Sequence, residues 1–387
     1  FFGRKLFNKT AGYISGLVLL TSVHFVYYSR ASMLDITATF FITLAIFLYY
    51  LAKESKGSKE NLWWALSGAS IGAAVMTKGV IGFLPFPIIF INEFFLFVLK
   101  KQYFERDLLK KYFYLVVAAL VVFLPWHLYM YFQHGESFVK NYIGYHVISR
   151  ATTDIEDKGQ PFWWYFVVLK VSMRLWFVTL LGALPFALFK AVKKEERYVL
   201  PIVWGLFILV FFSAAKSKLV WYILPAYPAL AIIAGIFVER VLDFIMSKVK
   251  LLDNVLFKFL FLYGFSLFIL TYYFHHRNLV YTSDLTGSQA RLLQLKDKKF
   301  GVEQKLYVDR IELPIVLFYT DGPFHIMDFH PAAGRYPATT YVENMVILGK
   351  RGRFSENYPE INKEPDIAGE DGDWILWSYQ SDYDIDQ

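Results

Sequence analysis

The chain has no cysteine. That excludes disulfides and thiolate metal sites, and it leaves the compartment open. Charge is scarce too: Asp, Glu, Lys and Arg supply 19% of the 387 residues. No internal repeat or low-complexity tract stands out. What fills the space is apolar. Hydrophobic residues reach 56%, beyond what an ordinary soluble domain carries. The formal net charge of +7 is not a nucleic-acid signal. Most of the cations lie in short loops between apolar runs, where they set topology.

Those runs are the main signal. Tyr13–Tyr28, Ile36–Leu51, Trp63–Val75, Ile81–Leu99, Tyr112–Tyr131, Trp164–Phe189, Tyr198–Phe212, Leu219–Val238 and Val255–Phe274 are nearly free of charge. Each approaches the ~20 residues with which a helix crosses a ~30 Å hydrocarbon layer. The fold class predicted is a polytopic α-helical membrane protein with about nine transmembrane helices in this chain.

Loop charge predicts the orientation. Arg4, Lys5 and Lys9, then Lys53, Lys56 and Lys59, then Lys100–Lys111, then Lys190–Arg197, then Lys248 and Lys250 alternate with cation-poor loops. The rich set is placed in the cytoplasm. The opposite set is Ser29–Asp35, Thr77–Gly79, Gln133–Pro161, Ala214–Lys218 and the tail. Residues 1–276 form the membrane domain, and 277–387 a small extracytoplasmic α/β domain. In that tail Leu306–Val308, Tyr341–Leu348 and Trp374–Tyr379 read as strands, and Ile311–Tyr319 as a helix.

Ionisable residues at span ends carry the functional information. Arg30 and Asp35 lie five apart at one outer junction. They read as a helix-end ion pair or as groups lining a substrate cavity. Lys78 sits in a tight outer turn, where a snorkelling lysine is the plainer reading. His146 and Arg150 lie four apart, on one face of an interfacial helix. They suit lipid headgroups in general or one particular phosphate. Lys216 and Lys218 crowd a very short loop on the side where positive charge is disfavoured. Their mutual repulsion points to an anionic partner. Tyr222, about one turn on, adds a hydroxyl. Lys78, Arg150, Lys216 and Lys218 together suit a polyprenyl-phosphate headgroup. They would hold the anion and stabilise charge building on the leaving phosphate. The acidic stretch Asp154–Asp157 reads as a solvated loop, and no metal site is assigned.

Several motifs stand in a fixed order. Arg-x-x-x-Leu-Asp spans Arg30–Asp35, and Thr-Lys-Gly precedes a Pro-containing span at Thr77–Pro85. Pro125-Trp126 follows, then His-x-x-x-Arg with Pro-Phe-Trp-x-Tyr over His146–Tyr165. Last comes Ser213–Pro225, with its Lys-Leu-x-x-Tyr-Ile-Leu-Pro run. Over roughly Phe1–Phe274 this order resembles the GT-C membrane glycosyltransferases. The branch it resembles holds the bacterial aminoarabinose transferases of lipid A and the protein O-mannosyltransferases.

The resemblance implies a polyprenyl-phosphate sugar donor and a lipid A-like, glycan or protein acceptor outside the cytoplasm. It implies transfer with inversion at the anomeric carbon, at the bacterial inner membrane. Arg150 and Tyr222 would hold the donor phosphate, with Lys216 and Lys218 close by. Asp35 would be a supporting catalytic carboxylate. No organic cofactor is implied, and a divalent cation is left open. The family's principal carboxylate lies in an Asp-Glu-x-x-Tyr-like motif after the first span, and no such motif precedes Arg30. That motif is therefore expected upstream of Phe1.

Two rival readings stand beside this one. A lipid transporter or flippase would favour ionisable residues near the midplane and broken helices in paired halves. A membrane oligosaccharide ligase or polymerase uses the same donor class on the same face. An acidic motif upstream separates the transferase from both.

Overall fold

A computed structural model of the chain describes residues 1–31, 33–100, 107–142, 144, 159–248, 255–275, 284–309, 322–327, 345–350, 366–371 and 374–379. The chain divides into two compact units, Phe1–Val280 and Tyr281–Gln387.

The first unit is helical. Its described helices are α1 (Phe2–Leu6), α2 (Lys9–Leu20), α3 (Val23–Arg30), α4 (Leu34–Lys53), α5 (Ser58–Lys78), α6 (Pro85–Lys100) and α7 (Leu108–Val139). These are followed by α8 (Trp164–Met173), α9 (Leu175–Val192), α10 (Val199–Ala214), α11 (Tyr227–Lys248) and α12 (Val255–His275). Among the described residues, six helical stretches are long and apolar enough to cross a bilayer, or seven if a bent pair counts as one span. The chain is a multi-pass membrane protein, as its composition predicts.

The count differs from nine at three places. Tyr13–Tyr28 is two helices, α2 and α3, bent by 67°. Thr21 and Ser22 cause the bend, because their hydroxyls donate back to the Leu17 and Val18 carbonyls at 2.7 Å each. Ile81–Leu99 begins in a 3-10 turn, Gly79–Phe83, which leaves α6 only 16 residues. Leu219–Val238 begins in another, Val220–Ala226, and the helix that follows carries Glu239, Arg240 and Asp243 in its second half.

Small residues set the closest helix approaches. A Cβ on Gly68 would run into the Leu115 carbonyl, and one on Gly72 would meet Val122 at 2.6 Å, so α5 and α7 approach backbone to backbone at Gly68 and backbone to side chain at Gly72. Gly235 of α11 likewise admits Ser15 of α2. Asn8 fixes that second pair at its end. Its side chain caps α2 by accepting from Ala11 N at 2.9 Å and donates to Glu239 Oε1 at 2.7 Å. The buried core runs through Ile14, Ile42, Trp64, Ile71, Trp204 and Ile233. The long face of α7 stays apolar and exposed, at Phe113, Val117, Val121 and Leu128 among others. A helix face of that composition belongs against lipid.

The second unit holds a five-stranded sheet in the order β2-β1-β3-β5-β4. Its strands are β1 (Leu306–Asp309), β2 (Phe324–Met327), β3 (Met345–Lys350), β4 (Asp366–Asp371) and β5 (Trp374–Tyr379). β1 pairs in parallel with β2 and β3, while β5 runs antiparallel to β3 and β4. Helix α13 (Asp284–Phe300) covers the sheet with Leu292 and Leu293, over Leu306, Val308, Val346, Leu348 and Leu376. The expected strands at 306–308 and 374–379 are present, and the one at 341–348 is seen from Met345. The expected helix Ile311–Tyr319 lies outside the described residues.

Candidate functional site

One end of the helical unit gathers a set of polar groups that lipid cannot satisfy. Asp35 lies in the first turn of α4, where a carboxylate complements the helix dipole. It is buried, at 7% exposure. Lys78 is the last residue of α5, and its ammonium pairs with Asp35 Oδ1. The two are 43 residues apart in sequence. They meet because α4 and α5 form an antiparallel hairpin whose turn, between Lys53 and Ser58, lies at the other end. Lys78 Nζ also lies 5.6 Å from the centre of the Tyr222 ring, a cation–π contact. Tyr222 sits in the turn Val220–Ala226, its ring 5.4 Å from Phe212 at the end of α10. Trp221 beside it meets Tyr28 of α3 at 5.6 Å. Five chain segments therefore meet around Lys78, Asp35 and Tyr222.

The loop entering that turn is clasped by the segment before α8. Gly159 and Ser217 form an antiparallel bridge. Lys218 donates to the Gln160 carbonyl at 2.7 Å and also to the Ala215 carbonyl. Tyr165 donates its hydroxyl to the Leu219 carbonyl at 3.0 Å. Lys218 is 5% exposed, and burial lowers its ammonium below the usual lysine value.

The predicted site residues divide accordingly. Lys78, Asp35 and Tyr222 come together. Lys216 is exposed on the same short loop as Lys218. Lys218 faces backbone carbonyls of its own loop and of its neighbour, so it holds the loop closed. Arg30 ends α3, exposed, two residues beyond Tyr28. His146 and Arg150 lie outside the described residues, as does the acidic stretch Asp154–Asp157. Among the described residues no group of three or more His, Asp or Glu is placed to hold a metal ion. A small cavity at the α2–α3 bend, lined by Thr21, Met173, Arg174 and Trp176, shares no residue with this cluster.

A family model for dolichyl-phosphate-mannose-protein mannosyltransferases matches residues 1–137. An uncharacterised protein of Aquifex aeolicus is 37% identical over 238 residues, which is 60% of this chain and 44% of that protein. An undecaprenyl phosphate-alpha-4-amino-4-deoxy-L-arabinose arabinosyl transferase of Pectobacterium carotovorum is 29% identical over 233 residues, 60% of this chain and 41% of that one. The crystal structure of ArnT from Cupriavidus metallidurans bound to undecaprenyl phosphate superposes with a TM-score of 0.71 at 17% identity, over 97% of this chain and 80% of that one. The chain is similar in sequence to these transferases over part of its length, and it shares the fold of the ArnT structure. It spans half or less of the length of the curated relatives named here.

Two side chains at this end escaped the sequence reading. His127 lies within the apolar run of α7, and its Nε2 is 2.9 Å from the Tyr142 hydroxyl. An ionisable residue inside a span was the available signal. Tyr142 reads from sequence only as part of an apolar face. Its contact with His127 depends on the break at Gly135, where φ is +52.

Proposed function

We propose that this chain forms the donor-binding part of a membrane glycosyltransferase. The reaction moves a sugar from a polyprenyl-phosphate carrier to a lipid A-like, glycan or protein acceptor. The observation that carries the reading is the convergence of Lys78, Asp35 and Tyr222 at one end of the bundle. A buried carboxylate there fixes a cation beside a phenol, at the depth where a lipid-linked phosphate would lie. The relatives named for undecaprenyl phosphate-linked aminoarabinose transfer support this donor class.

The chemistry follows. An acceptor oxygen, already ionised in a phosphate or giving up its proton to a general base in a hydroxyl, bonds to the anomeric carbon from one face while the bond from that carbon to the phosphate oxygen breaks on the other. The electron pair leaves with the polyprenyl phosphate. Negative charge therefore grows on the leaving phosphate, and cations already in place stabilise it without reorganising. Lys78, Lys216 and Arg150 are assigned that task, with Tyr222 as a hydrogen-bond donor. Asp35 orients Lys78 and acts as the supporting carboxylate. Lys218 shapes the loop. We place this end of the bundle outside the cytoplasm at the bacterial inner membrane, with residues 277–387 on the same side, on the alternation of loop charge.

The test is sugar transfer by the intact membrane protein from an undecaprenyl-phosphate-linked donor, with and without EDTA. Transfer that falls at least tenfold in Tyr222→Phe and Lys78→Met supports the reading, that factor being about the worth of one charge-assisted hydrogen bond. Donor movement across the bilayer with no transfer would favour the flippase instead. Polymerised glycan as the product would favour the polymerase.

A further inference from the structure

Lys78 ends its helix, so helical geometry alone does not fix where its ammonium goes. The chain turns at once through Gly79, at φ +59, into the 3-10 turn Gly79–Phe83. This corner is met from outside by Tyr142. A Cβ on Gly79 would lie 2.7 Å from the Tyr142 hydroxyl oxygen. Glycine is needed there both for its positive φ and for that approach.

Tyr142 is itself held. Its hydroxyl oxygen is 2.9 Å from His127 Nε2, and His127 Nδ1 is 2.8 Å from the Phe123 carbonyl oxygen. A carbonyl only accepts, so Nδ1 carries the proton and Nε2 offers its lone pair. The Tyr142 O–H then donates to His127, and its oxygen lone pairs are left on the side away from the ring nitrogen. The Tyr142 ring stacks on Phe138, with centroids 5.1 Å apart and planes 18° apart. Phe138 meets Trp126 at 6.1 Å. In a straight helix residues 126 and 138 would stand about 18 Å apart along the axis. The break at Gly135 folds the end of α7 back on itself and so brings the tyrosine to the corner.

We propose that His127 and Tyr142 are positioning residues, a clasp on the Gly79 corner that holds the Lys78 ammonium between Asp35 and the Tyr222 ring. This deepens the donor-phosphate reading and rests on it for the binding result alone. The clasp couples the fold-back of α7 to the end of α5, and it sets where one cation of the donor site stands.

The absence of native cysteine in this chain makes a direct distance measurement clean. Val80→Cys and Asn141→Cys place spin labels on two exposed positions beside the corner and beside the tyrosine. The label-to-label distance is measured by pulsed electron resonance in the intact membrane protein, with and without Tyr142→Phe or His127→Leu. Undecaprenyl phosphate affinity and sugar-transfer kcat are measured on the same proteins without labels.

The expected result is a narrow distance distribution that broadens in both variants. Tyr142→Phe keeps the ring, so folding is spared, yet undecaprenyl phosphate Kd should rise about tenfold, and kcat at saturation should fall too, because the displaced ammonium also serves the charge growing on the leaving phosphate. An unchanged distance distribution overturns the clasp. A broadened distribution with unchanged Kd overturns the positioning role and leaves only a packing contact. Should the parent protein bind no undecaprenyl phosphate, the donor reading fails, and the distance result still decides the clasp.

Discussion

The Lys78–Asp35 pair makes an asymmetric prediction about stability. The Asp35 side chain is 9% exposed and the Lys78 side chain 20% exposed. Removing the lysine strands a carboxylate that is nearly cut off from water. Breaking a buried pair in this way costs about 3–5 kcal/mol, and partial exposure puts Lys78→Met near the lower end, at about 3 kcal/mol. Asp35→Asn strands an ammonium that keeps the Tyr222 face and some water, so it should cost less, about 1–2 kcal/mol. In the double variant neither charge is left alone. Its cost should fall short of the sum of the single costs by about 1–3 kcal/mol, the coupling typical of a contacting pair. The assay is equilibrium unfolding in a mild detergent, followed by the fluorescence of the ten tryptophans. Costs that add to within about 0.5 kcal/mol would show that the two groups do not interact, and the site as described would collapse. Equal single costs would contradict the burial argument.

Other outcomes follow from the same geometry. Lys218→Met should lose about 1.5–3 kcal/mol of stability, since two carbonyl partners of a charged group are released, while undecaprenyl phosphate affinity stays near the parent value. Lys216→Ala should do the reverse, and a large affinity loss in Lys218→Met would return that residue to the phosphate. Gly68→Ala should cost about 1–3 kcal/mol by forcing α5 off α7, read as a lowered melting temperature; no change would mean that the helices pack less closely than described. Cysteines at Lys216 and Lys194 should react with an impermeant thiol reagent in intact cells at 216 only, and labelling at 194 would invert the topology.

The legible parts of this protein were those with a local cause. Helices α4, α5, α7 and α10 announce themselves as long apolar runs between loop cations. Strand β5 is readable because Trp374–Tyr379 is aromatic and apolar and follows the turn-favouring sequence Asp371-Gly372-Asp373. Helix α13 was missed because its residues are mostly polar, and only Leu292 and Leu293 mark its covered face. The α2–α3 bend was hidden for a different reason. Thr21 and Ser22 are unremarkable in an apolar run until their hydroxyls turn back on the helix and Trp176 donates to Thr21 at 2.8 Å.

The site shows the same division. The chemical types were readable, since Asp35, Lys78 and Tyr222 all stand at span ends. Their partners were not, because the pairing depends on contacts between segments far apart in the chain. Lys218 shows why: its neighbour Lys216 has the same charge and the same loop. One faces outward and the other faces the Gln160 carbonyl, which only the bridge between Gly159 and Ser217 decides.

The most direct test of the account is equilibrium binding of undecaprenyl phosphate to the intact protein in lipid nanodiscs, comparing the parent with Lys78→Met and Tyr222→Phe. The account predicts saturable binding, weakened at least about tenfold by either change, in line with the about 1.5–3 kcal/mol of one hydrogen bond to a charged phosphate. Binding that is unaffected by either change would contradict the claim that these residues hold the donor phosphate.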